Sequence, residues 1–305
     1  MIMDPKATKN QNKLSLSQAF FAILLSICII SGSAWLTLMY YQNMKDKQRS
    51  DPAYHIIALV QTSPDREGLK TSHLAEFLNL SIDQPRNLYS FNTHEEVKKL
   101  LNIPVIKEAT IRKIHPGTLH VDYSLRKPIA YLKDYHNAAI DPSGTIFPFK
   151  PFYTPKNLPE IYLGEEEENG EPVAWGTTIH GKRKDLAFAL FHDAPQYCDA
   201  YSCLCCIDVS QAFATSNGQR QIVLLLEDRF LKRIDNETVL CIYPRLLRLQ
   251  DDNYRQQLGN YLNLRSYLRG KDATMPLTGS GTIKRAKATI VDLRLSELAF
   301  IAIEP

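Results

Sequence analysis

The stretch IKEATIRKI at 106–114, HPG at 115–117 and TLHVDYSL at 118–125 decides the fold of the first half of the chain. In its last segment Leu119, Val121, Tyr123 and Leu125 alternate with polar residues, the two-residue period of a strand with one buried face. Ile106, Ala109 and Ile111 alternate less regularly in the first segment, and His115-Pro116-Gly117 is a turn signal between the two. Upstream, Asn92 and Thr93 open a helix: Thr93 and Glu96 spell a capping box ahead of Val97, Leu100 and Leu101, and Pro104 marks its end. Before that, Thr71 or Ser72 is placed to cap a short helix reaching about Leu80, with Leu74, Phe77 and Leu78 at helical spacing. YHIIALV at 54–60 reads as a strand. The order β-α-α-β-β predicts a small sheet with two helices on one face.

Downstream the pattern is richer in strands. Short strands are predicted at Ile129–Leu132, Ala138–Ile140 and Thr145–Phe147, with Asp141-Pro142-Ser143-Gly144 as a type I turn. A helix is expected over Arg183–His192, then strands at Cys206–Val209, Gln221–Leu226 and Leu231–Ile234. A second helix is expected from Pro244 to about Leu268, with Arg245, Arg248, Arg255, Arg265 and Arg269 forming a solvated face. Two strands are expected within Ala286–Ile303. The fold class is α+β.

Upstream of all this, residues 19–41 carry no charge (AFFAILLSICIISGSAWLTLMYY). As a helix this segment is about 34 Å long, enough for a hydrocarbon core of about 30 Å. Trp35, Tyr40 and Tyr41 stand near its end, where an interfacial aromatic belt belongs. A cleaved signal peptide would use Ala19–Ile30 as its apolar region and Ser31–Ala34 as its small-residue site, but the apolar stretch continues past that site and favours an uncleaved anchor. Lysines at 6, 9 and 13 face Lys45, Lys47 and Arg49 across the segment, so basic residues barely orient it. A short tail inside and a large exported region is the simpler topology. The expected division is tail 1–18, membrane helix 19–41, polar linker 42–53, a first domain 54–127 and a second 128–305.

A net charge of +3 without a basic cluster argues against a nucleic-acid partner. The acidic run Glu165–Glu168 reads as a solvated loop. No Gly-x-Ser-x-Gly elbow and no phosphate loop is present. No catalytic centre, cofactor or small-molecule substrate is expected. Cys198, Cys203, Cys205 and Cys206 cluster, and Cys241 stands apart. In an exported region at least one disulfide among these five is expected. The C-x4-C-x-C-C spacing beside His192-Asp193 is not that of a paired zinc knuckle, so no metal is expected. If the cluster lies on a strand, Cys205 and Cys206 point to opposite faces. Arg126-Lys127 reads as charge on a strand edge or, for Arg126, a partner contact.

Taken in order, several of these segments resemble the FtsQ/DivIB cell-division family. Pro104-Val105-Ile106, His115-Pro116-Gly117-Thr118-Leu119 and Arg126-Lys127-Pro128-Ile129-Ala130 are similar to the POTRA domain of that family. Ile140–Phe147 is similar to its Val-Asp-x-x-Gly-x-Val-Phe hairpin, Leu158-Pro159-Glu160-Ile161 to its Leu-Pro-x-Leu step, and Val291-Asp292-Leu293-Arg294 to its Val-Asp-Leu-Arg strand. After Arg294 the family often has an aromatic residue and a glycine turn; here Leu295, Ser296 and Glu297 stand in their place. The resemblance implies a transmembrane helix, a POTRA domain and a mostly β domain with flanking helices, anchored in the bacterial inner membrane at the division septum with the N-terminus cytoplasmic. It implies a non-catalytic scaffold that holds small bitopic partners of the FtsB/FtsL kind. The other open reading is a secreted ligand-binding protein or enzyme with a cleaved leader.

The last strand carries the expected contact. Leu298 to Ile303 is almost wholly apolar, and an uncovered apolar edge strand is something proteins normally avoid. Asp292, Arg294, Leu295, Leu298, Phe300, Ile301 and Ile303 are the candidate partner-binding residues, with Leu295, Phe300 and Ile301 as anchors. The competing expectation is an inner strand covered by earlier strands.

Overall fold

The computed structural model describes residues 16–64, 67–164, 174–234, 237–279, 281–295 and 297–304. The tail before residue 16, the acidic run at 165–168 and Ser296 lie outside the described residues. The fold is α+β. It opens on α1, Leu16–Ser50, which at 1.5 Å per residue is about 52 Å long. Within it, Ile23–Ser50 is long and apolar enough to cross a membrane, with a mean hydropathy of 1.9 over its most apolar window and none of that window buried. Length and composition fit a membrane span or a signal sequence. The linker expected over 42–53 is helical instead as far as Ser50. Its residues are polar but contain neither glycine nor proline before Pro52, so nothing in them breaks a helix already propagating.

Asn87 ties the end of helix α1 to the chain beyond it. Its Nδ2 donates to the carbonyls of Gln48 and Asp51, both at 3.0 Å, at the end of α1 where carbonyls lack helical partners. Its Oδ1 accepts from Tyr89 N–H at 2.8 Å. Asn87→Ala should cost about 1–3 kcal/mol, since it strands these groups in a site where Asn87 is buried. The expected readout is faster amide exchange of Tyr89 at an otherwise unchanged fold. Wild-type exchange there would show that water substitutes for the side chain.

The first sheet is built from β1 (Ala58–Thr62), β2 (Ile106–Ile114) and β3 (Thr118–Leu125), in the order β1-β3-β2, with β1 parallel and β2 antiparallel to β3. Helices α2 (Thr71–Phe77) and α3 (Thr93–Leu101) lie between β1 and β2 in sequence. Leu74, Leu78, Leu100, Ile106, Ile111, Leu119 and Val121 share one buried cluster, which accounts for the clean alternation in β3. The first strand begins at Ala58 rather than Tyr54, because Pro52–Tyr54 forms a helical turn capped by Asp51. The helix caps also differ from expectation. Asn92, not Thr93, caps α3 by accepting from His94 N–H. Glu96 points inward to Arg86 and Lys99 instead of back to the cap. Neither Thr71 nor Ser72 caps α2; Lys70 holds that position without a side-chain bond. Gly117 is required where it stands: a Cβ there would lie 2.2 Å from the His55 carbonyl oxygen.

The second sheet has eleven strands among the described residues. Its short strands are β4 (Ala130–Leu132), β5 (Ala138–Ile140), β6 (Ile146–Pro148) and β7 (Glu160–Tyr162). Asp141 makes the expected turn, with Gly144 N–H bonded to its carbonyl and Ser143 and Thr145 N–H to its carboxylate. Ala139, Phe147, Phe149 and Tyr153 belong to the same apolar cluster as the first sheet, so one core runs through both. Arg126 bridges them, donating to Pro104 O at 3.0 Å and pairing with Asp141 at 2.9 Å. It is a structural tie, and not a free basic patch.

The long members are β8 (Ser202–Asp208), β9 (Ile222–Ile234) and β10 (Glu237–Leu249), antiparallel in that order. The strands expected at 221–226 and 231–234 are one. The helix expected from Pro244 is overturned: Pro244 to Leu249 is strand, and the helix, α5, spans Tyr254–Lys271. Apolar residues on both faces of 239–249 hide a period of two, in which every odd position from Val239 to Leu249 is buried. Pro244 fits because β10 changes parallel neighbours there, from β12 (Ile283–Ala286) to β13 (Thr289–Asp292); a residue without an N–H is tolerated where a ladder is interrupted. α4 (Lys182–Asp193) and α5 cover one face, their Ala187, Leu190, Leu258, Tyr261 and Leu268 joining Ile207, Leu224, Leu247 and Val291 in the larger core. The two-residue β11 (Leu277–Thr278) pairs with β12.

The arginines expected on a solvated helix face are separated by this change. Arg245 lies in β10 with 1% exposure. It pairs with Asp272, lies 3.8 Å from Asp228 and donates to Thr289 Oγ1 at 2.9 Å. Arg269 pairs with Asp199 at 2.7 Å and Asp228 at 2.9 Å. Arg265 joins through Asp199.

Candidate interaction surface

The sheet's last edge is assembled by successive additions to β10. Thr289–Asp292 lies parallel to Arg245–Arg248, and β14 (Phe300–Ile303) then pairs antiparallel with β13, with Asp292 opposite Phe300, Val291 opposite Ile301 and Thr289 opposite Ile303. Among the described residues β14 has no other strand partner. Its outer backbone edge therefore carries donors and acceptors that no strand engages.

The two faces differ chemically. Thr289, Val291 and Leu293 are buried toward the core, and Ile301, opposite Val291, packs half-buried against the same cluster. Ile301 is therefore a core contact of the edge more than an exposed anchor. Leu295, Leu298, Phe300 and Ile303 are exposed, Phe300 by 65%. Among the described residues β14 is an edge and not the inner strand of the competing expectation, and it carries large apolar side chains in solvent. Asp292 and Arg294 bond to one another, Nη2 to Oδ2 at 2.7 Å and Nε to Oδ1 at 3.0 Å, and Arg294 also donates to the Gly218 carbonyl at 3.3 Å. Partial burial pushes the Asp292 carboxyl up, but the Arg294 side chain and N–H outweigh it and hold it below the usual range.

The same sign holds at Asp199, held well down first by Arg269, and at Asp141, where burial is outweighed by bonds from Ser143, Thr145 and Arg126. A carboxylate with a lowered folded value stabilises above its unfolded value, near 3.8, and loses that stabilisation as pH falls below it. Asp272 runs the other way, since burial raises it. The depressed groups outnumber it, so the melting temperature should fall between about pH 5 and about pH 2, and less steeply in Asp199→Asn. An unchanged slope in that variant would remove Asp199 from the account.

The cysteines are free thiols. Cys241 is buried in β10, and Cys198 is half-buried beside the larger core, its thiol pushed up to about 11 mainly by burial. The closest pair is Cys203 and Cys205, whose sulfurs are 3.6 Å apart, against about 2.05 Å for a disulfide. The Cys205 thiol beside Cys203, with Arg229 nearby, draws Cys203 down to about 7, and Cys205 is correspondingly raised. Cys206 rises to about 11 through burial. Cys205 and Cys206 do not point to opposite faces: a bulge between Leu204 and Cys206 breaks the alternation, and both line one cavity. Asp193 is occupied by Tyr254 and Arg255, at 2.9 and 2.7 Å, and does not belong to the group that Cys203 and Cys205 form with Glu227.

Sequence reasoning found the edge strand through its position and apolarity. It missed Glu227, which reaches Cys203 and Cys205 from the neighbouring strand, because cross-strand neighbours have no sequence spacing. Compared with models of known protein families the chain matches none, and no curated protein matches it significantly.

Proposed function

We propose that this chain is a non-catalytic scaffold, anchored by α1 in the bacterial inner membrane at the division septum, that captures a small bitopic membrane protein by strand addition to β14. The observation that carries the reading is the outer edge of β14, which has no strand partner among the described residues, with Leu295, Leu298 and Phe300 exposed beside it. Backbone bonds from an added strand would supply affinity, and the exposed side chains would supply selectivity. On this reading residues 54–127 form a POTRA domain, for which the β-α-α-β-β order and the resemblance to FtsQ/DivIB are the support, and residues 128–305 the FtsQ-type β domain. The partner is of the FtsB/FtsL kind. The apolar helix runs without a break through Ser31–Ala34, which favours retention of the anchor over cleavage there.

Crosslinking from β14 in tagged full-length protein, with pull-down from dividing cells, tests the proposal. The expected result is a small bitopic membrane protein attached at residues 295–303, with the intact chain extracted only by detergent. A mature chain lacking residues 1–34 and soluble without detergent would support the secreted reading instead.

A further inference from the structure

A second site lies at the bulge in β8, and it does not depend on the scaffold reading. Cys203 pairs with Glu227 of β9 and Leu204 with Leu226, but Cys206 pairs with Leu225, leaving Cys205 as the extra residue. Such an insertion re-aims side chains that strict alternation would send to the core. Ile207 is restored to the core opposite Leu224, while Cys203, Cys205 and Cys206 all line a cavity of about 280 Å3. The Cys203 and Cys205 sulfurs and a Glu227 carboxylate oxygen lie within 4.8 Å of one another.

We propose that Cys203, Cys205 and Glu227 bind a borderline-soft divalent cation of the zinc class, with the cavity leaving a further position for water or the Cys206 thiol. The convergence of two sulfurs and a carboxylate oxygen carries the assignment, and the separation of the sulfurs is compatible with it. Two sulfurs about 2.3 Å from a tetrahedral ion stand about 3.8 Å apart. The observed 3.6 Å matches that edge, and is far too long for a disulfide. A Glu227 carboxylate oxygen lies within 4.8 Å of both sulfurs, against about 3.5 Å between sulfur and oxygen around a tetrahedral ion with bonds of about 2.3 and 2.0 Å. The surrounding charges also suit a cation. Two thiolates and a carboxylate around a divalent ion leave one excess negative charge. Arg229 donates to Glu227 Oε2 at 2.8 and 3.1 Å, and Arg285 pairs with Oε1 at 2.6 Å. Oε1, with Arg285 alone beside it among these arginines, keeps a lone pair for the ion, and such outer partners orient a ligating carboxylate.

The test uses the full-length protein in detergent, reduced and freed of metal, and titrated with zinc chloride. One equivalent should bind, and zinc should protect Cys203 and Cys205, but not Cys198, from alkylation as read by peptide mass spectrometry. Cobalt(II) in place of zinc should give a thiolate charge-transfer band. Cys203→Ser/Cys205→Ser should weaken zinc binding at least about 100-fold, and Glu227→Gln about 10-fold. Protection in the wild-type chain decides the matter even where a variant fails to fold. Absence of stoichiometric binding, equal alkylation of all thiols with and without zinc, or a Cys203–Cys205 disulfide in protein isolated from cells would overturn the proposal.

Discussion

Arg245→Met will lower the melting temperature of the full-length protein in detergent by roughly 6–20 °C. Arg245 is fully buried at the junction of β9, β10, β13 and the end of α5. Removing it strands Asp272 and takes a partner from Asp228 and from Thr289. Breaking a buried pair by deleting one member costs about 3–5 kcal/mol, and in a protein of this size each kcal/mol moves the midpoint by about 2–4 °C. Asp228 keeps Arg269 and Ser202, at 2.9 and 2.5 Å, so the uncompensated group is Asp272, already raised by burial. The double variant Arg245→Met/Asp272→Leu should therefore recover much of the loss, with a coupling above about 1 kcal/mol. Additive effects of the two changes would show that the pair does not act as a unit. On the strand-addition reading the location bears on binding, because Thr289 begins the strand on which β14 is laid. Partial loosening there should expose Leu293 N–H, bonded to Arg248 O at 3.0 Å, to exchange before the global transition.

If β14 captures a partner strand as proposed, Phe300→Asp should weaken that capture by at least about 30-fold while leaving the melting temperature nearly unchanged. Exposed substitutions away from caps and cores alter stability by about 0.5 kcal/mol or less, and Phe300 faces solvent opposite Asp292. A central aromatic at an interface contributes about 2 kcal/mol or more, and an aspartate in its place would carry an unpaired charge into the interface. Recovery of the co-purified bitopic protein, compared between wild type and variant, measures the effect. Undiminished recovery sinks strand addition at β14, whereas loss of binding accompanied by a collapsed fold would make Phe300 a packing residue. Val291→Asp serves as the contrasting control: its position is fully buried, and both melting and binding should fail together.

The membrane-length helix, the β-α-α-β-β order, the Asp141–Gly144 turn and the two terminal strands are legible in the amino-acid sequence. Each is written locally, as an uncharged run, a period of two or 3.6, or a turn composition. The tertiary structure alone decided that 239–249 is a strand. There both faces are apolar, so its period is masked, and pairing with β9 outweighs the local helical pattern. Arg245 moved with that strand from an expected solvated face into a buried ion network, since only the fold places Asp228 and Asp272 around it. The thiol site obeys the same rule. The sequence supplies Cys203 and Cys205, but the bulge that keeps Cys206 on their side and the pairing that brings Glu227 opposite Cys203 are properties of two strands in register. Long-range pairing is set by how the whole sheet buries its apolar faces, and no window of neighbouring residues contains that information.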